Sequence, residues 1–278
     1  MTGPIEPEPT ATPMPVPTTA TTPTPAPTPL ALSLLEFDIG VGVPRSQVEL
    51  IRTGIDFARA YMQDVVGGDI APDIRGSMTI KIVATGKGNQ DPGGGGACCT
   101  GLDETGPRPF FDVQHPEWDQ GTPRGTADHR LRTAAHEYAH AWQSSLGCLT
   151  IHYQPLGDWL NEGLAEYVAH RSMVRAGVAN ANAVRDLQLS AAASTAEADV
   201  PLGSLESSQG IWPGHIGYLA VEYLVALAPE GPLAVRTICE EVARGASVDE
   251  AFEHAFGISK IDFYSAWALQ DIYQLAQG

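Results

Sequence analysis

The chain has 278 residues, 43% of them hydrophobic, and its 33 acidic side chains outnumber 16 basic ones to give a net charge of −17. This length suits one large domain or two small ones, and the charge excludes the basic surface typical of proteins that bind nucleic acid or anionic membranes. Nowhere do 18 apolar residues follow one another, so no transmembrane segment is predicted.

The N-terminal segment differs in composition from the rest of the chain. Ten of the 22 prolines and nine threonines occur within residues 1–30. Proline fixes φ and removes a backbone donor, so we expect an extended, solvated stretch there rather than a helix or a sheet. We interpret residues 1–34 as a disordered Pro/Thr-rich stalk or linker of the kind found on exported proteins, with an uninformative tail as the alternative.

The location of the protein is predicted from the same segment. The residues after Met1 lack the basic and apolar regions of a signal peptide. Either a leader has been removed or the protein stays inside the cell, and the stalk favours removal. We therefore expect a secreted or extracellular protein that the stalk can anchor at the cell surface.

The folded part begins with a predicted helix. Ser46 and Glu49 have the spacing of a capping box. Apolar residues then recur at three- and four-residue intervals to about Val66, where Gly67 and Gly68 are expected to end the helix.

Two short strands and a glycine-rich loop are predicted next. Alternating apolar residues predict a half-buried strand over residues 78–84, and a second strand covers 110–113. The loop between them, residues 86–101, lacks the Gly-Lys-Ser/Thr ending of a phosphate-binding loop. We therefore expect no phosphate site there.

The remainder of the chain is predicted to be mostly helical. The predicted helices cover approximately residues 128–146, 158–176, 214–227, 233–244, 248–256 and 260–275. Strands followed by helices indicate an α+β fold, with a small mixed sheet followed by a mostly helical lobe. We assign residues 35–278 to one domain of this class.

The four cysteines do not have the spacing of metal ligands. A disulfide from the adjacent pair Cys98 and Cys99 to Cys148 is plausible for an exported protein. Cys239 lies in an apolar helical pattern and is interpreted as a small buried hydrophobic residue. Four free thiols are equally compatible with the sequence.

The strongest chemical signal is His136-Glu137-x-x-His140, within RTAAHEYAHAWQ. Residues four apart lie on one face of a helix, so both imidazoles can reach one zinc ion at about 2.0–2.1 Å. Glu137 points about 100° away round the helix and can reach a metal-bound water as general base. The uncharged neighbours indicate a buried helix, which disfavours the alternative of a solvated face with two histidines.

A third ligand is predicted on the next helix, which reads DWLNEGLAEYV. Its Glu162 and Glu166 lie four residues apart among apolar side chains. One can bind zinc while the other accepts a hydrogen bond from the remote nitrogen of a histidine. Two such charges on an apolar helix repel each other without a cation nearby. The metzincin pattern is excluded, because Gln143 and Leu146 replace its Gly and His.

HEYAH followed by WLNEGLAEY resembles the gluzincin metallopeptidases, the superfamily of thermolysin, aminopeptidase N and the clostridial collagenases. The resemblance covers about residues 35–275 and implies a zincin-like domain. It implies one catalytic Zn²⁺ held by His136, His140 and Glu162, with Glu166 supporting His136. The 21 residues between His140 and Glu162 are slightly more than in aminopeptidase N, which a short loop insertion would absorb.

The resemblance also implies a residue that stabilises the oxyanion of the reaction. Gly214 stands where the aminopeptidase-N pattern has a tyrosine. His215 and Tyr218 are the nearby substitutes, and we prefer His215, with capping or packing at the helix start as its alternative role. One of the strands, 78–84 or 110–113, is the expected edge for an extended peptide substrate.

Together these features predict a zinc-dependent metallopeptidase that hydrolyses peptide bonds of a peptide or protein substrate through a zinc-activated water, with Glu137 as general base. The alternative is a catalytically inactive zincin-fold binding module at the cell surface. Glu137 argues against this alternative, and the missing tyrosine keeps it open.

The other histidines are interpreted as surface residues, although His170, four residues after Glu166, could border the site. They are His115, His129, His152, His170 and His254.

Overall fold

The computed structural model of the protein describes residues 34–68, 77–87, 100–102, 109–115, 118, 127–149, 155–207 and 211–268. Within these ranges a four-stranded sheet accompanies a mostly helical lobe. The predicted α+β class, with a small mixed sheet, is therefore confirmed. None of the helices in these ranges combines the length and the hydropathy that a membrane crossing requires. The stalk predicted over residues 1–34 lies outside the described residues except for its last position.

The sheet has the strand order β1-β2-β4-β3. Its strands are β1 (Leu34–Ile39), β2 (Ser77–Val83), β3 (Thr100–Leu102) and β4 (Pro109–Asp112). β1, β2 and β4 run parallel, and β3 pairs antiparallel with β4. The buried side chains of β2 and β4 join the same hydrophobic cluster as the helices.

The predicted strands correspond to β2 and β4, and both lie inside the sheet. The expectation that one of them is a free edge is therefore wrong, because the edge strands are β1 and β3. Neither edge strand was predicted. β1 carries a signal that the prediction missed, since its apolar residues Leu35, Phe37 and Ile39 alternate with acidic ones, whereas β3 has only three residues and lies at the end of the glycine-rich segment.

Eight α-helices occur in the described ranges. They are α1 (Arg45–Tyr61), α2 (Ala127–Ser145), α3 (Asp158–Arg175), α4 (Ala181–Ser194), α5 (Gly214–Leu227), α6 (Ala234–Ala243), α7 (Val248–Phe256) and α8 (Lys260–Trp267). The sequence predicted all of them except α4, whose small and polar residues give only a weak apolar stripe. The predicted continuation of the last helix beyond residue 268 lies outside the described residues.

The start of α1 differs from the prediction, whereas its end agrees with it. Pro44 occupies the cap position, and Ser46 already lies inside the first turn, so the predicted capping box is wrong. Glu49 pairs instead with Arg45 across the exposed surface at 2.8 Å. After a π-helical turn the helix ends at Gly67, whose φ of 85° favours glycine.

α3 and α5 cross where two glycines meet. A Cβ atom on Gly163 would lie 2.5 Å from the carbonyl oxygen of Gly217, and one on Gly217 would lie 2.5 Å from that of Trp159. No ordinary side chain fits at such distances, so glycine at both positions allows the two backbones to touch. This close approach brings the first turn of α5 beside the residues of α3 that carry the predicted ligand.

A disulfide joins Cys148, just after α2, to Cys239 in α6, 91 residues later. The expected bridge from Cys98 or Cys99 to Cys148 is therefore wrong, and so is the interpretation of Cys239 as an unpaired hydrophobic residue. Cys98 and Cys99 themselves lie outside the described residues. Pairing depends on the distance between cysteines in the folded chain, which their spacing in sequence does not reveal.

Removal of this disulfide should destabilise the protein. We expect the Cys148→Ala/Cys239→Ala variant to lose roughly 2–5 kcal/mol of unfolding free energy, because the bridge restricts a long loop in the unfolded chain. Urea unfolding followed by circular dichroism measures the loss, and the Cys98→Ala/Cys99→Ala variant is the control. Equal midpoints for the parent and the variant without the bridge would contradict this expectation.

Candidate metal site

The HExxH residues lie on a buried part of α2. His136, Glu137 and His140 are 7%, 7% and 8% exposed. The two imidazole rings stand one turn apart, with centroids separated by 4.5 Å and planes nearly perpendicular. The neighbouring alanines and aromatic residues of α2 are buried too, so the histidines face the interior and not solvent.

Glu162 of α3 meets both histidines. Its Oε2 lies 3.4 Å from Nε2 of His136, and its Oε1 lies 3.4 Å from Nε2 of His140. One possible ligand atom from each residue lies within 4.8 Å of the others. In a tetrahedral zinc site with bonds of about 2.0–2.1 Å, ligand atoms are separated by about 3.4 Å. The two separations of 3.4 Å, each to a different oxygen of Glu162, agree with this value, so the three residues are compatible with a zinc ion.

The far side of His140 is held by Gln143, one turn later on α2. Nδ1 of His140 lies 2.7 Å from Oε1 of Gln143, and the amide nitrogen of Gln143 donates to the carbonyl oxygen of Asn161 at 2.9 Å. Because the amide nitrogen is used in this way, its oxygen faces the ring and accepts a hydrogen from Nδ1. In a neutral His140, Nε2 then carries no proton, and its lone pair is directed towards Glu162.

Glu166 holds the far side of His136. Its Oε1 lies 3.2 Å from Nδ1 of His136, and it also pairs with Arg132 of α2. Glu166 is only 1% exposed. Burial alone would raise the pKa of this carboxyl, but Arg132 and His136 hold the pKa well below its usual range. The carboxylate is therefore charged and favours a proton on Nδ1 of His136.

The electrostatics of the site favour a cation between the three residues. Burial lowers the pKa of His136, but the charges of Glu166 and Glu162 outweigh it and raise the pKa to about 10. Burial likewise raises the pKa of Glu162, and the imidazoles of His140 and His136 bring the pKa well below its ordinary value. Without a metal ion, a proton on His136 supplies the positive charge, and metal binding must displace it.

Glu137 follows His136 in sequence but does not join the three ligand residues. Within the ranges that the structure describes, its carboxylate forms no hydrogen bond and no ion pair. Its side chain is nevertheless almost fully buried. This arrangement is typical of a group whose partner is a water or a substrate.

Trp212, just before α5, completes the surroundings of Glu162. Its indole nitrogen donates to Oε2 of Glu162 at 3.2 Å, and its ring stands perpendicular to that of His215 at a centroid distance of 4.9 Å. The indole also lies over Gly214, where any Cβ atom would overlap with its carbon atoms. The space beside Gly214 is thus occupied by the side chain of Trp212.

The two candidates for the oxyanion differ in their surroundings. His215 is partly exposed and lies beside Trp212, with its Nδ1 2.6 Å from Oε1 of Gln188. Tyr218 is buried, and its hydroxyl donates to Glu222 at 3.1 Å on the next turn. The structure therefore brings His215 to the edge of the site and directs the hydroxyl of Tyr218 to a partner of its own helix.

His170 is the other histidine near the site, and its interpretation as a surface residue is wrong. It is 5% exposed, and its Nε2 lies 3.1 Å from Oε2 of Glu166 and 2.6 Å from the amide nitrogen of Gln188. The four-residue spacing from Glu166 explains this contact.

The remaining histidines fit the interpretation better: His115 and His129 are partly exposed, His254 is exposed, and His152 lies outside the described residues.

Sequence reasoning missed Gln143, Gln188 and Trp212. Gln143 carried a signal, since it is a polar residue one turn after His140 on an otherwise apolar helix. Gln188 and Trp212 come from α4 and the segment before α5, and only the folding of those segments against α3 brings them to the site.

We compared the chain with models of protein families and with curated protein sequences, and neither comparison gave a match. The likeness to gluzincins therefore depends on the motif residues and on the arrangement of their side chains.

The hydrogen bond from Trp212 should strengthen metal binding. Trp212→Phe keeps an aromatic ring but removes the indole N–H, so Glu162 is held less firmly. We expect zinc affinity to fall by about tenfold, measured by competition with a chelator of known affinity. Trp267→Phe, which removes an indole elsewhere, is the matched control. Equal affinities in the two variants would contradict a role for this contact.

The stability of the metal-free protein should decrease from pH 6.5 towards pH 10. The pKa of His136 is raised from 6.5 to about 10 on folding, so its contribution is complete below pH 6.5 and disappears as the pH passes through about 10. Urea unfolding of chelator-treated protein measures this. The difference in unfolding free energy between the parent and His136→Gln should shrink across this range, and a constant difference would refute the expectation.

Proposed function

We propose that the protein is a zinc-dependent metallopeptidase with a gluzincin-like, zincin-type domain. The observation that supports this most directly is the convergence of two imidazole nitrogens and one carboxylate at tetrahedral spacing. The far nitrogen of each histidine faces an acceptor, Gln143 for His140 and Glu166 for His136. Once His136 has given up its extra proton, a site of this kind presents two lone pairs and a negative charge to the same point.

The ligand set suits a catalytic zinc ion rather than a structural one. Three protein ligands, two nitrogens and one oxygen, leave the fourth tetrahedral position open for water or substrate. When bound, zinc supplies Lewis acidity, which lowers the pKa of a bound water and polarises a carbonyl group. The side chains of the protein then have to move protons and hold the substrate.

Glu137 is the proposed general base. It lies about 100° round the helix from His136 and is not occupied by a structural partner among the described residues. It can therefore accept the proton of the attacking water and pass it to the leaving amine. The presence of Glu137 also argues against the alternative of an inactive binding module, because binding alone does not need a general base.

His215 is the proposed donor to the oxyanion, and β3 is the proposed docking edge for the substrate. β3 and β4 both contact α2, and β3 is the last of the described strands on its side of the sheet, where an extended peptide can join by backbone hydrogen bonds. The proposed docking strand is thus β3, instead of the strands β2 and β4 that were predicted from the sequence. His215 reaches the edge of the site beside Trp212, whose indole nitrogen donates to Glu162.

The disulfide supports the proposed export of the protein. Bridges of this kind persist in oxidising compartments and are rare in the cytosol, and Cys148 and Cys239 are both fully buried. We propose a secreted or cell-surface enzyme whose Pro/Thr-rich segment spaces the catalytic domain from its attachment.

Substitution of the general base tests the proposed function. Glu137→Gln should retain one zinc ion per chain, because its side chain is not a ligand. Its kcat on a fluorogenic peptide library should fall by about 10²–10⁴-fold, because proton transfer is lost. Elemental analysis and a cleavage assay measure the two effects.

Glu162→Gln is the companion variant, since it should lose both zinc and activity. Unchanged cleavage by Glu137→Gln would exclude the assigned base. A zinc-loaded parent that cleaves no member of the library would favour the binding module instead.

A further inference from the structure

A continuous set of polar contacts connects Glu166 to His215 through the interior. Oε2 of Glu166 lies 3.1 Å from Nε2 of His170. The end group of Gln188 bridges the two rings, 2.6 Å from Nε2 of His170 on one side and 2.6 Å from Nδ1 of His215 on the other. His170 and Gln188 are 5% and 2% exposed, so water does not compete for these contacts.

The contacts allow two arrangements of protons. A neutral imidazole nitrogen donates or accepts according to its tautomer, and a half turn of the glutamine end group exchanges its oxygen and nitrogen. If the amide nitrogen of Gln188 donates a hydrogen bond to His170, Nε2 of that ring carries no proton and accepts the bond through its lone pair. If the amide oxygen faces His170 instead, Nε2 carries a hydrogen that Gln188 accepts, and this N–H lies 3.1 Å from the anionic Oε2 of Glu166.

The charge of Glu166 decides between the two arrangements. Arg132 pairs with this carboxylate, which is therefore an anion. A lone pair on His170 would face this anion at 3.1 Å without a proton between them, which is unfavourable in a buried site. Burial lowers the pKa of His170, so the ring is neutral and has one proton to place. That proton belongs on Nε2, towards Glu166.

The arrangement of the remaining groups follows step by step. With its oxygen turned to His170, Gln188 presents its amide nitrogen to Nδ1 of His215 and donates to it. Nδ1 of His215 is then an acceptor, and the single proton of a neutral His215 lies on Nε2. The backbone at this point is also held, since Glu197 accepts a hydrogen bond from the N–H of Ile216 at 2.9 Å.

The geometry points to His170 and Gln188 as positioning residues that hold His215 in its Nε2-protonated form, as a neutral hydrogen-bond donor. This inference rests on the proposed function for the use of that donor, which is to stabilise the oxyanion of peptide hydrolysis. The proton arrangement itself does not depend on the reaction. Glu166 therefore serves two sides of the site, since it orients His136 directly and His215 through two intervening side chains.

Nuclear magnetic resonance of ¹⁵N-histidine-labelled, zinc-loaded full-length protein tests the proton arrangement. The ¹⁵N shifts distinguish the two neutral tautomers, and the signals that disappear in His215→Gln identify His215. We expect Nε2 of His215 to carry the proton in the parent. A proton on Nδ1 in the parent would overturn the inference.

Gln188→Glu provides the matched substitution, because it keeps the size of the side chain but replaces the amide donor by a second acceptor. His215 should then carry its proton on Nδ1, and kcat should fall by about tenfold with KM and zinc content unchanged. Gln188→Met, which removes both hydrogen bonds at similar volume, should lower kcat without imposing the Nδ1 tautomer. An unchanged His215 tautomer in folded Gln188→Glu would also overturn the inference.

The two proposals fail in different ways. If the parent has the expected tautomer but cleaves no peptide, the proposed function fails and the positioning of His215 stands. If the parent is an active peptidase with the proton on Nδ1 of His215, the proposed function stands and the positioning role is excluded.

Discussion

The buried carboxylate of Glu166 is the group on which the arrangement of the site depends. A buried anion without partners is costly, and this one is compensated from two helices, by Arg132 and His136 of α2 and by His170 of α3. These contacts fix the rotation of both helices relative to each other. Glu162, one turn before Glu166, is consequently placed opposite the free nitrogens of the histidines on α2.

A second constraint is the glycine contact between α3 and α5. Because Gly163 and Gly217 leave no space between the helices, the segment that enters α5 passes directly beside the glutamates of α3. Trp212 reaches Glu162 from this segment, and its ring occupies the space above Gly214. Gly214 and Trp212 are therefore complementary in size, because the indole ring fits only where position 214 has no side chain.

The two histidines proposed as ligands could be predicted because their geometry is local, whereas Glu162 was predicted from its motif and meets them only through the packing of α3 against α2. Four-residue spacing on a helix places His136 above His140 whatever the rest of the chain does. Other contacts could not be predicted, because they depend on how α4, α5 and α6 pack against earlier elements. These contacts are the hydrogen bonds of Gln188 and Trp212 and the disulfide from Cys148. The same distinction applies to the sheet, because the order in which its strands pair depends on the folding of the whole chain and not on the pattern of any one strand.

The disulfide closes a covalent ring around much of the site. Glu162, Glu166, Gln188 and His215 all lie between Cys148 and Cys239, whereas the two histidine ligands precede the ring. A single backbone cut anywhere in residues 149–238 would open the ring but leave both fragments joined through sulfur, so no site residue would be released. A protein closed in this way stays in one covalent piece after such a cut and separates into two fragments only after reduction.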